Sequence, residues 1–496
     1  MATLTGKTIA STYKDLLQVS NSNSGIDGTK RAVSDGEATA SPLELSSSAV
    51  NISSGFELGG SEVTASATEL NVLDDVTAGT VTASKAVVVD ANKDIAGIRN
   101  LIISGGISAK PFYGVAWNES ADSYVRTGAL TGVANSASPS EFMAVHAGIK
   151  RCLLADDGGV NYFLDASDST LKSDGTASDL TGTDGQVMVQ IPKFWYKYGY
   201  SGTTHTWEIA SIPIDGFEVH PAFLKNGAEV DYRYIGAYEG SMYDASATGM
   251  VASGSIATNM YASGDKLCSL SGEYPKTNET RAEFRAMGTA RGTGWRQLDY
   301  DLASAVQLLY LVEYADFDSQ STIGEGRTQL SGGSWTAGSY IGQCGKSNGD
   351  GNGTNNVEGN TNNAYMTYRG IENFFGNIWK FVDGININDN VPYVSNNDAN
   401  WADDTATNYT DLGVTLHNGD GYQGTLEQIN RGFLPASLTG GSSSAKITDY
   451  YYQNTGWRVF RLGGDAVSGS NAGVFYVIAN DASSDSHVRI ASRVCY

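Results

Sequence analysis

Residues 456–496 read GWRVFRLGGDAVSGSNAGVFYVIANDASSDSHVRIASRVCY, and apolar and polar positions alternate along them. In residues 473–480, Phe475, Val477 and Ala479 fall on one face of an extended strand. Tyr476, Ile478 and Asn480 fall on the other. In residues 487–494, Val488 and Ile490 share one face and His487 and Arg489 the opposite one. The link DASSDS (481–486) is rich in turn residues, so the two runs are expected to pair as a hairpin. One face of that hairpin completes a core. The other shows Tyr, Ile, Asn, His and Arg, a mixed set of the kind that makes contacts. A hairpin buried on both sides is the alternative reading.

Upstream, the patterning changes along the chain. Residues 1–54 are rich in Ser, Thr and Gly, with one short apolar run at 13–19 that predicts at most a short helix. A segment so poor in apolar groups cannot build a core alone and needs a neighbouring copy or another protein. Residues 55–110 alternate Thr, Ala, Val and Asp in short runs punctuated by Gly and Asn. Residues 111–184 read as short strands of a small β domain or connector, with a loop over 165–184. QVMVQIPKFWYKYGY and THTWEIASIPIDGFEVHPAF then give strong, aromatic-rich strands. TNETRAEFRAMGTARG predicts a helix capped at Thr277 or Asn278 and stopped at Gly292. In LDYDLASAVQLLYLVEYADFDSQ, Leu302, Ala305, Val306, Leu309 and Val312 keep helical spacing, with Asp299 or Asp301 as the cap.

Composition narrows the classes. A chain of 496 residues is too long for one ordinary domain. Its formal net charge of −22 argues against a general nucleic-acid binder, which needs a basic face. There is no run of apolar residues long enough for a membrane-crossing helix, so no membrane insertion is expected. The first twenty or so residues lack the charged start and apolar middle of a secretory signal. The cysteines at 152, 268, 344 and 495 lie far apart and form no CxxC, so neither a zinc knuckle nor a disulfide framework is expected. With 59 Gly and 27 Tyr, the chain has the profile of an extended β-rich protein with tyrosine-laden loops suited to recognition.

Two resemblances sharpen this picture. SATELNVLDDVTAGTVTASKAVVVDANKDIAGIRNLIISG resembles repeat segments in the shafts of phage tail fibres, and GIDGTKRAVSDGEATASPLELSSS resembles the start of such proteins. That likeness covers about the first fifth of the chain. It implies a parallel homotrimer whose three chains share one core, attached by its N-terminus to other tail proteins of the virion. GNIWKFVDG (376–384), GWRVFRLGG (456–464) and the late Arg493 resemble the C-type-lectin-type fold. The branch is the one shared by formylglycine-generating-enzyme-like domains and phage tropism proteins. It implies that the two motifs form central strands flanked by two helices. The expected fold class is therefore mainly β with an α+β C-terminal domain: a β-rich trimeric fibre shaft, then a C-type-lectin-like domain over 185–496.

In one subclass of that family a diversity-generating retroelement rewrites the last segment at template adenines, and residues 470–493 resemble such a region. The resemblance implies exchanged, ligand-facing positions at Phe460, Leu462, Asp465, Val467, Tyr476, Ile478, Asn480, Asp485, His487 and Arg489. It implies held positions at Trp457, Gly463, Gly464, Phe475 and Arg493. A fixed binding hairpin is the alternative. Exchange of an outward strand residue is expected to shift stability by about 0.5 kcal/mol or less. Tyr450, Tyr451 and Tyr452 offer either a constant aromatic rim or partly buried packing. The expected role is attachment of a phage particle to a host cell-surface receptor, protein or glycan, outside the cell.

Other chemistry fits less well. NGDGNGTNNVEG (348–359) approaches a calcium loop, but Glu358 falls one short of the twelfth position and the first ligand is Asn. The Glu-Pro-Asn and Gln-Pro-Asp sugar motifs of calcium-dependent lectins are absent, and no metal or cofactor is expected. HExxH, GxSxG and the P-loop pattern are missing too. Cys268 and Cys344 do not sit in the catalytic context of the formylglycine-generating enzymes. A polysaccharide-degrading enzyme on the same fold is the second reading, because paired carboxylates need no sequence motif.

Overall fold

A computed structural model describes residues 16–19, 21, 22, 24–78, 85–87, 111–134, 143–357 and 364–496. The protein is mainly β, and contacts divide it into two units, Met1–Gly106 and Ile107–Tyr496.

The first unit holds an antiparallel sheet of Gln18–Val19, Arg31–Ser34, Ala40–Leu45 and Val50–Ile52, in sequence order. The apolar run at 13–19 therefore ends in a strand where a short helix was expected; residues 13–15 lie outside the described residues. Leu43 stands opposite Ile52 and Leu45 opposite Val50, so the four share one face. Leu43, Val50 and Ile52 remain 36%, 68% and 41% exposed. Val33 is the one large apolar side chain buried in this unit among the described residues. The expected run of shaft repeats begins with a hairpin of Glu57–Leu58 and Ser61–Glu62. A five-residue helix, Ala67–Asn71, follows and is closed by a Ser66–Glu69 capping box. Most of 79–110 lies outside the described residues.

In the second unit the expected boundary near 184 is not a structural one. Phe112–Asn118 and Ser123–Gly128 complete a five-stranded sheet with Trp195–Ser201, Thr204–Ala210 and Glu218–Val219. Lys150–Leu154 and Val160–Phe163 join Gln186–Pro192, Tyr232–Gly236, Val494–Cys495 and Arg296–Gln297 in a second sheet. Short strands such as these find partners far along the chain, and patterning does not name the partner.

The Tyr300–Tyr314 helix is buried on every side except at Tyr314, its polar Asp301, Gln307 and Glu313 being paired with Arg431, the Val474 carbonyl and Arg369. Asp299 is its cap, accepting from Leu302 N at 2.8 Å, and Arg233 pairs with the same carboxylate. The other expected helix spans Arg281–Thr289. Its cap is Thr280, not Thr277 or Asn278, because only Thr280 has a glutamate, Glu283, three residues on to return the capping hydrogen bond.

The third sheet carries the two motifs singled out in the sequence. Its order is Thr410–Asp411, Val391–Val394, Trp379–Asn388, Trp457–Leu462, Val477–Ala479, Ile447–Gln453 and Gly419–Gln423. Trp379–Asn388 and Trp457–Leu462 are thus adjacent, central strands. Arg493 is fully buried and donates to the carbonyls of Gly236 (2.8 Å) and Glu372 (2.6 Å), tying the chain end to both neighbouring segments.

Candidate recognition site

The strand Val477–Ala479 lies parallel to Ile447–Gln453 and antiparallel to Trp457–Leu462. Ile490–Ala491 instead pairs in parallel with Trp379–Asn388. The runs 473–480 and 487–494 therefore do not form the expected hairpin with each other. Each finds its backbone partners on longer strands, and the link continues that pairing, with Asp481 O accepting from Val459 N at 3.1 Å.

The expected alternation over 475–480 does set the faces. Phe475 points into the core against Phe317 (4.7 Å) and Phe433 (5.2 Å). Tyr476 and Ile478 point the other way, into a pocket of about 530 Å³. Six of the ten expected ligand-facing residues line it: Val467, Tyr476, Ile478, Asp485, His487 and Arg489. Tyr476 and Ile478 are each 6% exposed and form its floor; Val467, Asp485 and His487 stand exposed at its rim.

Four expected positions fall elsewhere. Phe460 and Leu462 are buried on the opposite face of their strand, Phe460 edge-on to Tyr300 at 5.8 Å. The resemblance implied that these two face outward, but neighbouring positions of a strand lie on opposite faces and the outward one is Arg461. Arg461 is the residue of that strand that reaches the pocket. Asp465 is fully buried, and its Oδ2 accepts from Arg489 Nε at 2.6 Å while Oδ1 accepts from Val467 N and Ser468 Oγ. It orients a pocket residue from beneath. Asn480 is half-buried beside the pocket and accepts from Arg461 Nη2 at 3.0 Å.

Of the expected held positions, Phe475 and Arg493 are buried and Trp457 is half-buried. Gly463 and Gly464 take φ of 91° and 78°, turning the chain out of the strand and into the Asp465 loop. A Cβ on Gly463 would meet Phe374 O at 2.7 Å, so a side chain there needs the backbone to move.

Six lining residues were not among the expected positions: Ser468, Asn471, Ser486 and, with the most chemistry, Trp379, Arg461 and Asp481. Trp379 sits within GNIWKFVDG, so the motif marked it, but as scaffold. Tyr476 packs edge-on to its ring at 4.5 Å, and the Arg461 guanidinium lies 4.9 Å from the ring centre. Arg461 Nη1 pairs with Asp481 Oδ2 at 2.8 Å. Burial pulls the Arg461 guanidinium below its ordinary value against the field of Asp481, and pushes the Asp481 carboxyl up against that of Arg461. Arg489 stacks over Trp335 at 5.1 Å. Burial, then Arg489 and Arg461, holds the His487 imidazole below the usual histidine value, so at neutral pH it is uncharged.

A tyrosine face adjoins the floor. In-register pairing puts Tyr450 and Tyr452 on the side of Tyr476 and Ile478, with Tyr422 opposite Tyr450. Tyr450 lies 6.2 Å from Tyr476 and 5.1 Å from Tyr422, both edge-on. Tyr451 turns inward, 1% exposed, and donates to His417 O at 2.8 Å. The rim expected of three tyrosines is therefore made by two of them.

In the 348–359 loop, Asn348 Nδ2 donates to Ser271 Oγ and Asn352 Oδ1 accepts from Arg151 N, so these groups serve the fold; Glu358 lies outside the described residues. Among the described residues no three His, Cys, Asp or Glu side chains are grouped to hold a metal ion. Cys268 and Cys344 are buried free thiols in different surroundings: Cys268 Sγ accepts from Arg291 Nη2, whereas Cys344 Sγ donates to Glu239 O. No described helix is long and apolar enough to cross a membrane. Compared with known proteins, the chain matches no family model and no curated sequence.

Proposed function

We propose that this chain is a receptor-binding protein of a phage tail fibre, which holds a host cell-surface ligand in the pocket floored by Tyr476 and Ile478. The observation that carries the reading is convergence. Residues from 379 to 489, on separate strands and loops, place aromatic floor, paired charges and an exposed rim around one cavity. Its flank is a tyrosine face of the type that binds with little ordering cost. The neighbouring central strands of the two motifs, and the helices Arg281–Thr289 and Tyr300–Tyr314, support the lectin-type reading of this unit. Exchange by a retroelement is proposed for the rim positions Val467, Asp485, His487 and for Arg489.

The N-terminal unit serves, on this reading, to join copies into a homotrimer and to attach them to the virion. Leu43, Val50 and Ile52 stand uncovered on one sheet face in the single chain. Three tips per fibre would raise a weak contact about a hundredfold by avidity. The test is capture of intact cells from a panel of bacterial strains by the full chain. Capture of at least one strain, lost on Ile478→Arg, is the expected result. Capture that survives a filled pocket contradicts it.

One observation favours the second reading, a polysaccharide-degrading enzyme: two carboxylates, Asp481 and Asp485, line the same pocket, and burial raises the first. Release of new reducing ends from host polysaccharide, abolished in Asp481→Asn, would establish it.

A further inference from the structure

We infer that the pocket takes an uncharged, hydroxyl-rich ring, a neutral saccharide unit of a surface glycan, bound without a metal ion. The inference rests on the recognition reading above and adds the chemistry of the ligand. It starts from how the pocket's charges are spent. Arg461 is held by Asp481 at 2.8 Å and by Asn480 at 3.0 Å. Arg489 is held by the buried Asp465 at 2.6 Å. Each cation is matched to one carboxylate inside the wall, and His487 is neutral at neutral pH.

A free anion entering here would compete with Asp465 and Asp481 for guanidinium groups each already paired with a carboxylate, while Arg461 Nε keeps a buried donor without a hydrogen-bond partner among the described residues that a hydroxyl can fill. It would also face Asp485 at the rim and a chain of net charge −22. A cation would have to draw Asp481 from Arg461 and leave a half-buried guanidinium unpaired. A hydroxyl does neither. It donates to a carboxylate oxygen and accepts from an N–H in the same pair, so neighbouring hydroxyls fit a guanidinium–carboxylate edge without breaking it.

The floor supplies the other half of the match. Tyr476, packed on Trp379, and Ile478 give an apolar patch for the C–H face of a ring. Arg461 and Arg489 stand on Trp379 and Trp335, so their donors are fixed before the ligand arrives. A cavity of about 530 Å³ has room for a saccharide larger than a single ring.

The experiment is calorimetric titration of the full chain with a panel of neutral mono- and oligosaccharides, including methyl glucoside, mannoside and galactoside and N-acetylglucosamine. Galacturonate and glucosamine are the charged comparators. The expected result is saturable binding of at least one neutral sugar, in the presence of a chelator. Affinity should change less than about twofold between roughly 50 and 500 mM salt, because no net charge is neutralised. Ile478→Trp, which fills the floor, should weaken it by about tenfold or more, with unfolding temperature measured on the same sample. Preference for galacturonate or glucosamine, a steep loss with salt, or binding indifferent to Ile478→Trp in the folded variant overturns the inference. So does the absence of neutral-sugar binding. If the chain then still captures cells, and protease treatment of those cells abolishes capture, the recognition reading stands with a protein as its ligand. If it captures none, that reading fails as well.

Discussion

At the scale of the residue, the pocket separates two kinds of ligand-facing position. Tyr476 and Ile478 are nearly buried, so their exchange is a core substitution as well as a change of ligand contact. The expectation of about 0.5 kcal/mol or less per exchange fits the rim and not the floor. Asp465 adds a constraint: with Arg489 removed, its fully buried carboxylate loses its ion pair, so the two positions are coupled. Titration also belongs here. His146 and His220 are fully buried, and burial first of all pushes their values from 6.5 down to about 4 and about 3. The unfolded chain therefore takes up protons first. Stability is intact above pH 6.5 and is lost as pH falls through the window down to about 4 for His146 and about 3 for His220. Thermal unfolding across that range should show the decline. His220→Asn, which keeps an acceptor for Ala222 N, should make it shallower.

At the scale of the element, the two motif strands differ in how much they disclose. Over 475–480 the odd positions Phe475, Val477 and Ala479 are apolar and the polar groups sit on even ones, so the faces are legible. In Trp457–Leu462 both faces are covered: Val459 on one side, Phe460 and Leu462 on the other, all 4% exposed or less. Large apolar residues then occupy both parities, so alternation does not separate Phe460 and Leu462 from Arg461, and the resemblance alone points outward at the wrong pair. Denaturant unfolding separates the cases. Phe460→Ala should cost about 3–5 kcal/mol, as a core deletion does. Val467→Ala, at a position 37% exposed, should stay within about 0.5 kcal/mol. Helices were legible for the opposite reason. Local spacing suffices to place them, although the cap expected at Thr277 or Asn278 lies at Thr280, whereas strand partners such as Ile235 and Cys495 lie hundreds of residues apart.

At the scale of the molecule, the two units differ in what they leave uncovered. Among the described residues, the N-terminal unit exposes apolar side chains and buries almost none, while the second unit encloses a continuous core and exposes a polar-rimmed pocket. Sedimentation should therefore report the mass of three chains for the full protein and of one chain for residues 107–496 alone. A single-chain mass for the full protein would remove the basis for avidity. The central claim is that recognition lives at a rim whose exchange leaves the frame intact. Its most direct test is cell capture by the Val467→Ser, His487→Ser double variant, with the unfolding temperature taken on the same preparation. The account predicts an unfolding temperature within about 2 °C of the parent and capture reduced by about tenfold or more. Capture at the parental level, or a loss that appears only when the protein unfolds, would contradict it.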